Sequence, residues 1–335
     1  MLPVCRRTAG RNYGKSKEQW GEKTMEQKIK QDIERLRVQG VSERILEELT
    51  EFRREYGTDE EQSSRCVRPQ MPFFGGEILQ MAIAALLAGE NVLLCGGKAT
   101  GKNILAENLA WLFGRPAYNI SFHVNTDSST LIGTDTFRNN EVVLREGPVI
   151  QCAKQGGFGI LDEINMAKND TVSVLHATLD YRRVIDVPGY ERVPLHPAAR
   201  FIGTMNYGYA GTKELNEALV SRFAVINMPP VDEKTLEHIL KSMYPDLKTS
   251  AVEQFTGLFL DLQKKAQNSE ISTKALDLRG LLAAVGLMKK GLAPQTALHM
   301  GVSNKSFDLF EREMVEDIVM TRIPSSLTAA EVFAD

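Results

Sequence analysis

The chain has 335 residues, of which 43% are hydrophobic and 25% charged, and its formal net charge is -3. These values are typical of globular proteins with one or two domains, and the charge does not indicate a nucleic-acid partner. The longest apolar run, around residues 78–87, is far shorter than the ~20 residues of a membrane span, which argues against a membrane protein. The four scattered cysteines favour a reducing compartment, and we expect a cytoplasmic protein.

Residues 1–24 are basic and show no hydrophobic period. Five cations precede the first acidic residue, and no apolar stretch suited to secretion is present. Two interpretations stay open: an organelle transit peptide, or an unstructured leader ahead of an alternative start at Met25. We expect a disordered leader.

Residues 25–72 have a helical pattern followed by a polar stretch. Apolar residues recur every three or four positions from Met25 to Tyr56, which indicates amphipathic helices. Residues 57–72 contain few aliphatic side chains, as linkers do. The sequence therefore predicts an N-terminal helical appendage and a linker.

Residues 73–230 alternate between strand and helix patterns. This alternation predicts an α/β domain, a parallel sheet with helices on both faces. Predicted helices cover 77–88 and 103–112, and predicted strands cover 91–95, 117–121, 157–161 and 199–204.

Two hairpin-like insertions interrupt this pattern. One lies within 134–151 and turns at Asn139-Asn140, and the other lies within 182–197 and turns at Pro188-Gly189.

Residues 231–335 show helix patterns and no strand pattern. The predicted helices are 236–243, 251–265, 274–289 and 306–321. A smaller all-α domain is therefore expected to follow the α/β domain.

The segment GGKATGK at 96–102 follows an apolar strand and opens a helix, which is the context of a P-loop. Its glycines let backbone N–H groups surround phosphates, while Lys102 and the helix N-terminus supply positive charge. We expect ATP to be bound by Gly96, Gly97, Lys98, Ala99, Thr100, Gly101, Lys102, Asn103 and Ile104.

Asn103 departs from the P-loop pattern. A serine or threonine hydroxyl normally follows the lysine and ligates Mg²⁺. The amide oxygen of Asn103 is also a hard ligand, so nucleotide and Mg²⁺ binding remain expected, but efficient hydrolysis is less secure.

Two carboxylates, Asp162 and Glu163, end the apolar strand in the segment FGILDE at 158–163. We expect Asp162 to contribute to Mg²⁺ binding, and Glu163 to orient and deprotonate the attacking water.

Three segments give the chain a family resemblance: LDEINMA at 161–167, GTMN at 203–206 and LVSRF at 219–223. They resemble the AAA+ ATPases of the MoxR group and its CbbQ, NorQ, dynein- and midasin-related relatives. The resemblance implies an AAA+ P-loop core with a helical lid domain. It also implies that Asn206 is sensor 1, which positions the attacking water.

The resemblance assigns two arginines as well. Arg222, at the end of a predicted helix over 214–221 and directly after its last residue, corresponds to the arginine finger that reaches the nucleotide of a neighbouring subunit. Arg279 resembles sensor 2 of the lid. The alternatives are Arg182, Arg183 and Arg200 for the finger, and Lys274 and Arg322 for sensor 2.

The function implied is that of a ring-forming ATPase that remodels or activates a partner protein. Family members suggest a hexamer, and a client with a von Willebrand factor A domain. An ATP-binding scaffold with little hydrolysis, caused by Asn103, is the main alternative. A nucleic-acid motor is disfavoured by the acidic net charge.

Overall fold

The computed structural model describes residues 27–57, 64–207 and 214–334. The predicted leader, residues 1–24, lies outside the described residues. Among the helices of the described part, none is both long and apolar enough to cross a membrane.

The centre of the fold is a five-stranded sheet in which every neighbouring pair is parallel. Its strands are β1 (Asn91–Gly96), β2 (Ala117–Ser121), β5 (Phe158–Asp162), β8 (Arg200–Asn206) and β9 (Phe223–Asn227). Their order across the sheet is β2-β5-β8-β1-β9. The sheet confirms the predicted α/β class, although β9 was not among the predicted strands.

Alternate residues of β1 serve different apolar clusters, because side chains of a strand alternate between its two faces. Val92 and Leu94 join the cluster that includes two long helices, α3 (Gly76–Leu87) and α4 (Lys102–Phe113). Leu93 and Cys95 join a second cluster, which includes α6 (Pro148–Gln155). Four short helices complete this layer: α5 (Ser128–Ile132), α7 (Asn169–Ser173), α8 (His176–Leu179) and α9 (Glu217–Val220).

The N-terminal helices α1 (27–38) and α2 (Glu43–Glu55) pack on the α/β layer. Their buried apolar residues belong to the same cluster as α3 and α4. Asp32, only 1% exposed, accepts hydrogen bonds from the indole of Trp111 at 2.8 Å and from Arg68 at 2.7 Å. These helices thus share the apolar core of the α/β layer, and the limits 25–72 of the predicted appendage and linker stay predictions.

Both predicted hairpins are present. The first pairs β3 (Gly133–Arg138) with β4 (Glu141–Glu146), and both turn residues, Asn139 and Asn140, have positive φ. The second pairs only two residues on each side, β6 (Val184–Ile185) with β7 (Val193–Pro194). The hydroxyl of Tyr190 donates to Asp135 at 2.7 Å and links the hairpins.

The C-terminal part of the described chain is helical and has its own apolar cluster. Its helices are α10 (Glu233–Met243), α11 (Thr249–Gln267), α12 (Leu278–Lys289), α13 (Pro294–Gly301), α14 (Leu309–Arg322) and α15 (Ala329–Val332). The helix predicted from residue 274 begins instead at Leu278, because the Asp277 carboxylate caps it by accepting from the Arg279 N–H at 3.2 Å. The domain limits 73–230 and 231–335 stay predictions.

Candidate nucleotide-binding site

A cavity of about 540 Å³ lies at the carboxyl ends of the central strands, between the sheet and the C-terminal helices. In the β1–β8 register Gly96 lies beside Asn206, and Asp162 ends the next strand, β5. Ligands of open parallel sheets bind at this edge. The fold therefore brings the ends of β1, β5 and β8 to one place.

The loop after β1 lines this cavity with residues 98–101, and α4 adds its first three residues. Two loop residues, Ala99 and Gly101, have left-handed backbone conformations, with φ of 61° and 84°. Gly96 passes so close to Met228 that a Cβ on it would lie 2.9 Å from the Met228 carbonyl oxygen. Gly96 is thus required by packing.

Lys102 is folded back onto its own loop. Its Nζ donates to the carbonyl oxygens of Gly96 at 3.0 Å and Gly97 at 2.7 Å. The side chain is 7% exposed, and this burial lowers the pKa of Lys102 to about 8, with Asp162 opposing the shift. A phosphate would be a stronger partner for this ammonium than two carbonyl dipoles.

Thr204 joins the two predicted carboxylate residues. Its hydroxyl donates to Asp162 Oδ1 at 2.7 Å and accepts from the Glu163 N–H at 3.0 Å. Thr204 is 1% exposed, so these bonds are shielded from water. Asp162 Oδ2 accepts no hydrogen bond from the described residues, which leaves one oxygen for a hydrated cation.

Asn206 contacts the predicted general base directly. Its side-chain Nδ2 donates to Glu163 Oε1 at 3.0 Å, and its backbone carbonyl oxygen accepts from Asn165 Nδ2 at 3.0 Å. Asn165 is 2% exposed. Asn206 and Glu163 are thus direct neighbours, and the sensor 1 role of Asn206 stays a prediction.

The donor set is compatible with Mg²⁺. Asn103 and Asp162 both line the cavity. Within the described ranges, no three His, Cys, Asp or Glu side chains are grouped so that they could hold a metal ion. Mg²⁺ commonly takes one or two protein carboxylates and fills its shell with water and phosphate oxygens, so the two residues suit an ion delivered with a nucleotide.

Arg279 is the candidate sensor 2 residue that the structure brings to the cavity. Burial raises the pKa of Glu107 on α4, and the charge of Arg279 opposes that shift. The alternative candidates for sensor 2, Lys274 and Arg322, do not line the cavity. Arg322 instead pairs with Asp261 at 2.6 Å on the helical domain.

Arg222 does not line the cavity. Its Nε donates to the carbonyl oxygen of His176 at 3.0 Å, and its guanidinium lies 3.7 Å from Asp180. Arg222 follows a helix, α9, that is shorter than the predicted 214–221: it begins at Glu217, where the Asn216 side chain caps it. Residues 208–213 lie outside the described residues.

The three alternative candidates for the arginine finger differ in their exposure and hydrogen-bond partners. Arg182 is exposed and pairs with Asp180 at 3.0 Å, beside Arg222. Arg183 and Arg200 donate to backbone carbonyls of their own chain, of Ala199 at 2.9 Å and of Leu86 at 2.8 Å. Because Arg200 is only 6% exposed and donates to backbone carbonyls, we interpret it as a structural residue.

Sequence reasoning did not identify Thr204 or Asn165. Thr204 lies two residues before Asn206, and residues two apart on a strand face the same side of the sheet. The spacing alone could therefore have predicted that Thr204 shares the face of Asn206. The contact of Asn165 joins the 3-10 turn that follows β5 to the end of β8, and local sequence does not reveal it.

Comparisons with known proteins identify the family of the central part of the chain. Residues 91–223 match the family model described as AAA domain (dynein-related subfamily). The chain is similar to the uncharacterized protein YojN of Bacillus subtilis (strain 168), with 34% identity over 249 residues, 73% of this chain and 82% of YojN. It is also similar to the uncharacterized protein SAB1265c of Staphylococcus aureus (strain bovine RF122 / ET3-1), with 33% identity over 236 residues, 69% of this chain and 89% of that protein.

Proposed function

This chain belongs to the dynein-related subfamily of AAA domains, and from that premise we propose that it binds ATP with Mg²⁺ in the cavity and hydrolyses it. One observation carries the proposal. A single cavity is lined by side chains from the phosphate loop, two strand ends and the helical domain: Lys102, Asp162, Glu163, Asn206 and Arg279.

Each side chain has a role that follows from its chemistry. Lys102 exchanges its loop carbonyls for phosphate oxygens, and Asp162 and Asn103 hold the cation. When bound, Mg²⁺ offsets phosphate charge. Glu163 accepts a proton from the attacking water, and Asn206, already bonded to Glu163 Oε1, orients that carboxylate.

We further propose that the active form is a homo-oligomeric ring, with six subunits the expected number. Arg222 lies outside its own chain's cavity, so a second copy would have to bring it to a bound nucleotide. The charge of an arginine would then stabilise the transferred phosphoryl group.

The work done with ATP is, in this proposal, the remodelling or activation of a partner protein. The two linked hairpins are the surface we assign to that partner, since Phe137 and Val142 pair beside the turn of the first hairpin and are both exposed. A partner with a von Willebrand factor A domain is the expectation from the family resemblance.

Phosphate release by the purified protein tests the hydrolytic function. We expect Glu163→Gln to abolish turnover while ATP binding, followed by calorimetry, is kept. Glu253→Gln, a change at an exposed carboxylate of α11, should leave both unchanged. Turnover that persists in Glu163→Gln would show that another group is the base.

Asn103 supports a second candidate, an ATP-binding scaffold. It stands at the metal-ligand position, where a longer side chain must place its oxygen correctly. Tight ATP binding without turnover above background, at concentrations where the protein is assembled, would favour the scaffold.

A further inference from the structure

Lys98 of the phosphate loop contacts the helical domain directly. Its Nζ donates to the carbonyl oxygen of Thr273 at 3.1 Å and lies 3.4 Å from that of Lys274. These partners are 175 and 176 residues away in the chain. The sequence predicts a phosphate ligand at this position, but the contacts give the side chain a different partner.

Ala99 adds an apolar contact beside this polar one. It packs against the apolar cluster of the helical domain. Its φ of 61° lies in the left-handed region, which a residue with a Cβ rarely adopts and which a tightly determined loop can enforce. Two consecutive loop residues therefore touch the helical domain.

The contacted segment leads directly into α12. Asp277 caps that helix through the N–H of Arg279, and also lies 3.6 Å from the ammonium of Lys305. Only four residues, 275–278, lie between Lys274 and Arg279, so a shift at one end of this short segment moves the other. Burial lowers the pKa of Lys98, and the nearby Asp277 opposes the shift.

We propose that Lys98 is a positioning residue: by holding the carbonyls of Thr273 and Lys274, it ties the start of α12, and with it Arg279, to the phosphate loop. The inference deepens the proposed function, because it rests on the same cavity. It assigns the side chain of Lys98 to domain placement, and leaves phosphate contact at this position to the backbone.

Hydrogen exchange in the nucleotide-free protein tests the link without requiring hydrolysis. We expect Lys98→Met, which keeps the length of the side chain and removes its donors, to speed exchange of the amides of residues 273–280 about tenfold. Lys98→Arg retains donors and should restore much of the protection. Lys290→Met is the matched control, since Lys290 lies at the other end of α12. Unchanged exchange in Lys98→Met would overturn the proposal.

Kinetics separate this role from a phosphate contact. Lys98→Met should lower kcat about fivefold while the Kd for ADP changes less than about twofold. Combined with Arg279→Ala it should add no further loss, since residues that act through one contact are not additive. An ADP affinity weakened about tenfold, or additive losses, would make Lys98 a phosphate ligand and overturn the inference.

The two proposals fail in different ways. Absent turnover in every variant, together with Lys98-dependent exchange at 273–280, would reject hydrolysis and support the link. Normal turnover with exchange that does not depend on Lys98 would reject the link alone.

Discussion

Two surfaces of the molecule differ in where their charged groups lie. The cavity face carries Lys102, Asp162, Glu163 and Asn206, and the Arg222 face carries Arg222 beside Asp180. At the cavity, an ammonium, two carboxylates and an amide already lie in mutual contact or line one space. At the other face, the Arg222 guanidinium donates a hydrogen bond to the His176 carbonyl oxygen and lies 3.7 Å from Asp180, both in its own chain. The cavity face groups its charged and polar side chains around one space, whereas the Arg222 guanidinium is paired elsewhere within its own chain.

This difference indicates that binding and turnover have separate requirements. In the proposed function, the groups that bind phosphate all come from one chain and line the cavity. In the same proposal, Arg222 exchanges its internal partners for a phosphate on another copy, so turnover should depend on assembly. Mutation of the phosphate-binding lysine on the cavity face should therefore weaken binding, whereas mutation of Arg222 should lower turnover alone.

Among the variants that compare the two faces, Arg222→Ala should have the largest effect, on turnover. We expect about a 10³-fold loss of kcat, the scale typical of an arginine finger, with ATP affinity nearly unchanged. Phosphate release and equilibrium binding, measured at a concentration where the protein is assembled, would show the split.

Arg182→Ala is the matched control, because Arg182 shares the Asp180 carboxylate and is exposed. It should cost far less than Arg222→Ala. The reverse order would transfer the finger role to Arg182.

Lys102→Ala should affect binding itself. Loss of a charge-assisted contact to phosphate is expected to weaken ATP affinity about 100-fold, measured by calorimetry. Equal affinity in the variant and the parent protein would contradict the phosphate-loop assignment and remove the contrast between the two faces.

The pH dependence of binding sharpens the same point. Since the pKa of Lys102 is lowered to about 8, the free protein loses this charge as pH rises through that value, and ATP affinity should fall by up to about tenfold per pH unit above it. Between about 8 and the usual 10.5, the unfolded chain holds this proton and the folded chain does not. The lysine thus makes the nucleotide-free protein more stable as pH rises, opposite to the trend in affinity.

Lys102→Met should remove both trends, apart from the titration of other groups. Calorimetry and thermal unfolding across the pH range, compared between the parent protein and this variant, would measure them. An affinity slope that survives in Lys102→Met would assign the titration to another group.

The smallest effect is expected at the metal position. Asn103→Thr supplies the usual hydroxyl and should raise kcat about threefold, whereas Asn103→Ala, which supplies no ligand, should lower it. Phosphate release at saturating Mg²⁺ measures both. A slower Asn103→Thr variant would mean that the site is adapted to the amide.

Local pattern was enough to predict the sheet core and the phosphate loop. An apolar strand, a glycine-rich turn and a helix are contiguous between residues 91 and 113, so the loop's location required no tertiary information. The first hairpin was equally predictable from Asn139-Asn140, because asparagine tolerates the positive φ that the turn needs.

What could not be predicted depends on long-range contacts. The periodicity of α1 and α2 revealed an apolar face but not its partner, which is the surface of α3 and α4. The true start of α12 was hidden because the apolar period runs through residue 274, while the Asp277 cap fixes the boundary. The contact of Lys98 with Thr273 crosses two domains and leaves no local signal.

The buried cluster shared by α1, α2 and the α/β layer has a consequence for how the chain unfolds. Ile29 and Leu36 lie in one continuous apolar interior with Leu105 and Ile202, so the first helices cannot separate without baring the flank of the sheet. Removing these helices would also leave the indole N–H of Trp111 without its hydrogen-bond acceptor, Asp32. Heat or denaturant should therefore melt this part of the molecule in one cooperative event, and the smallest independently folding unit reaches back to at least residue 29.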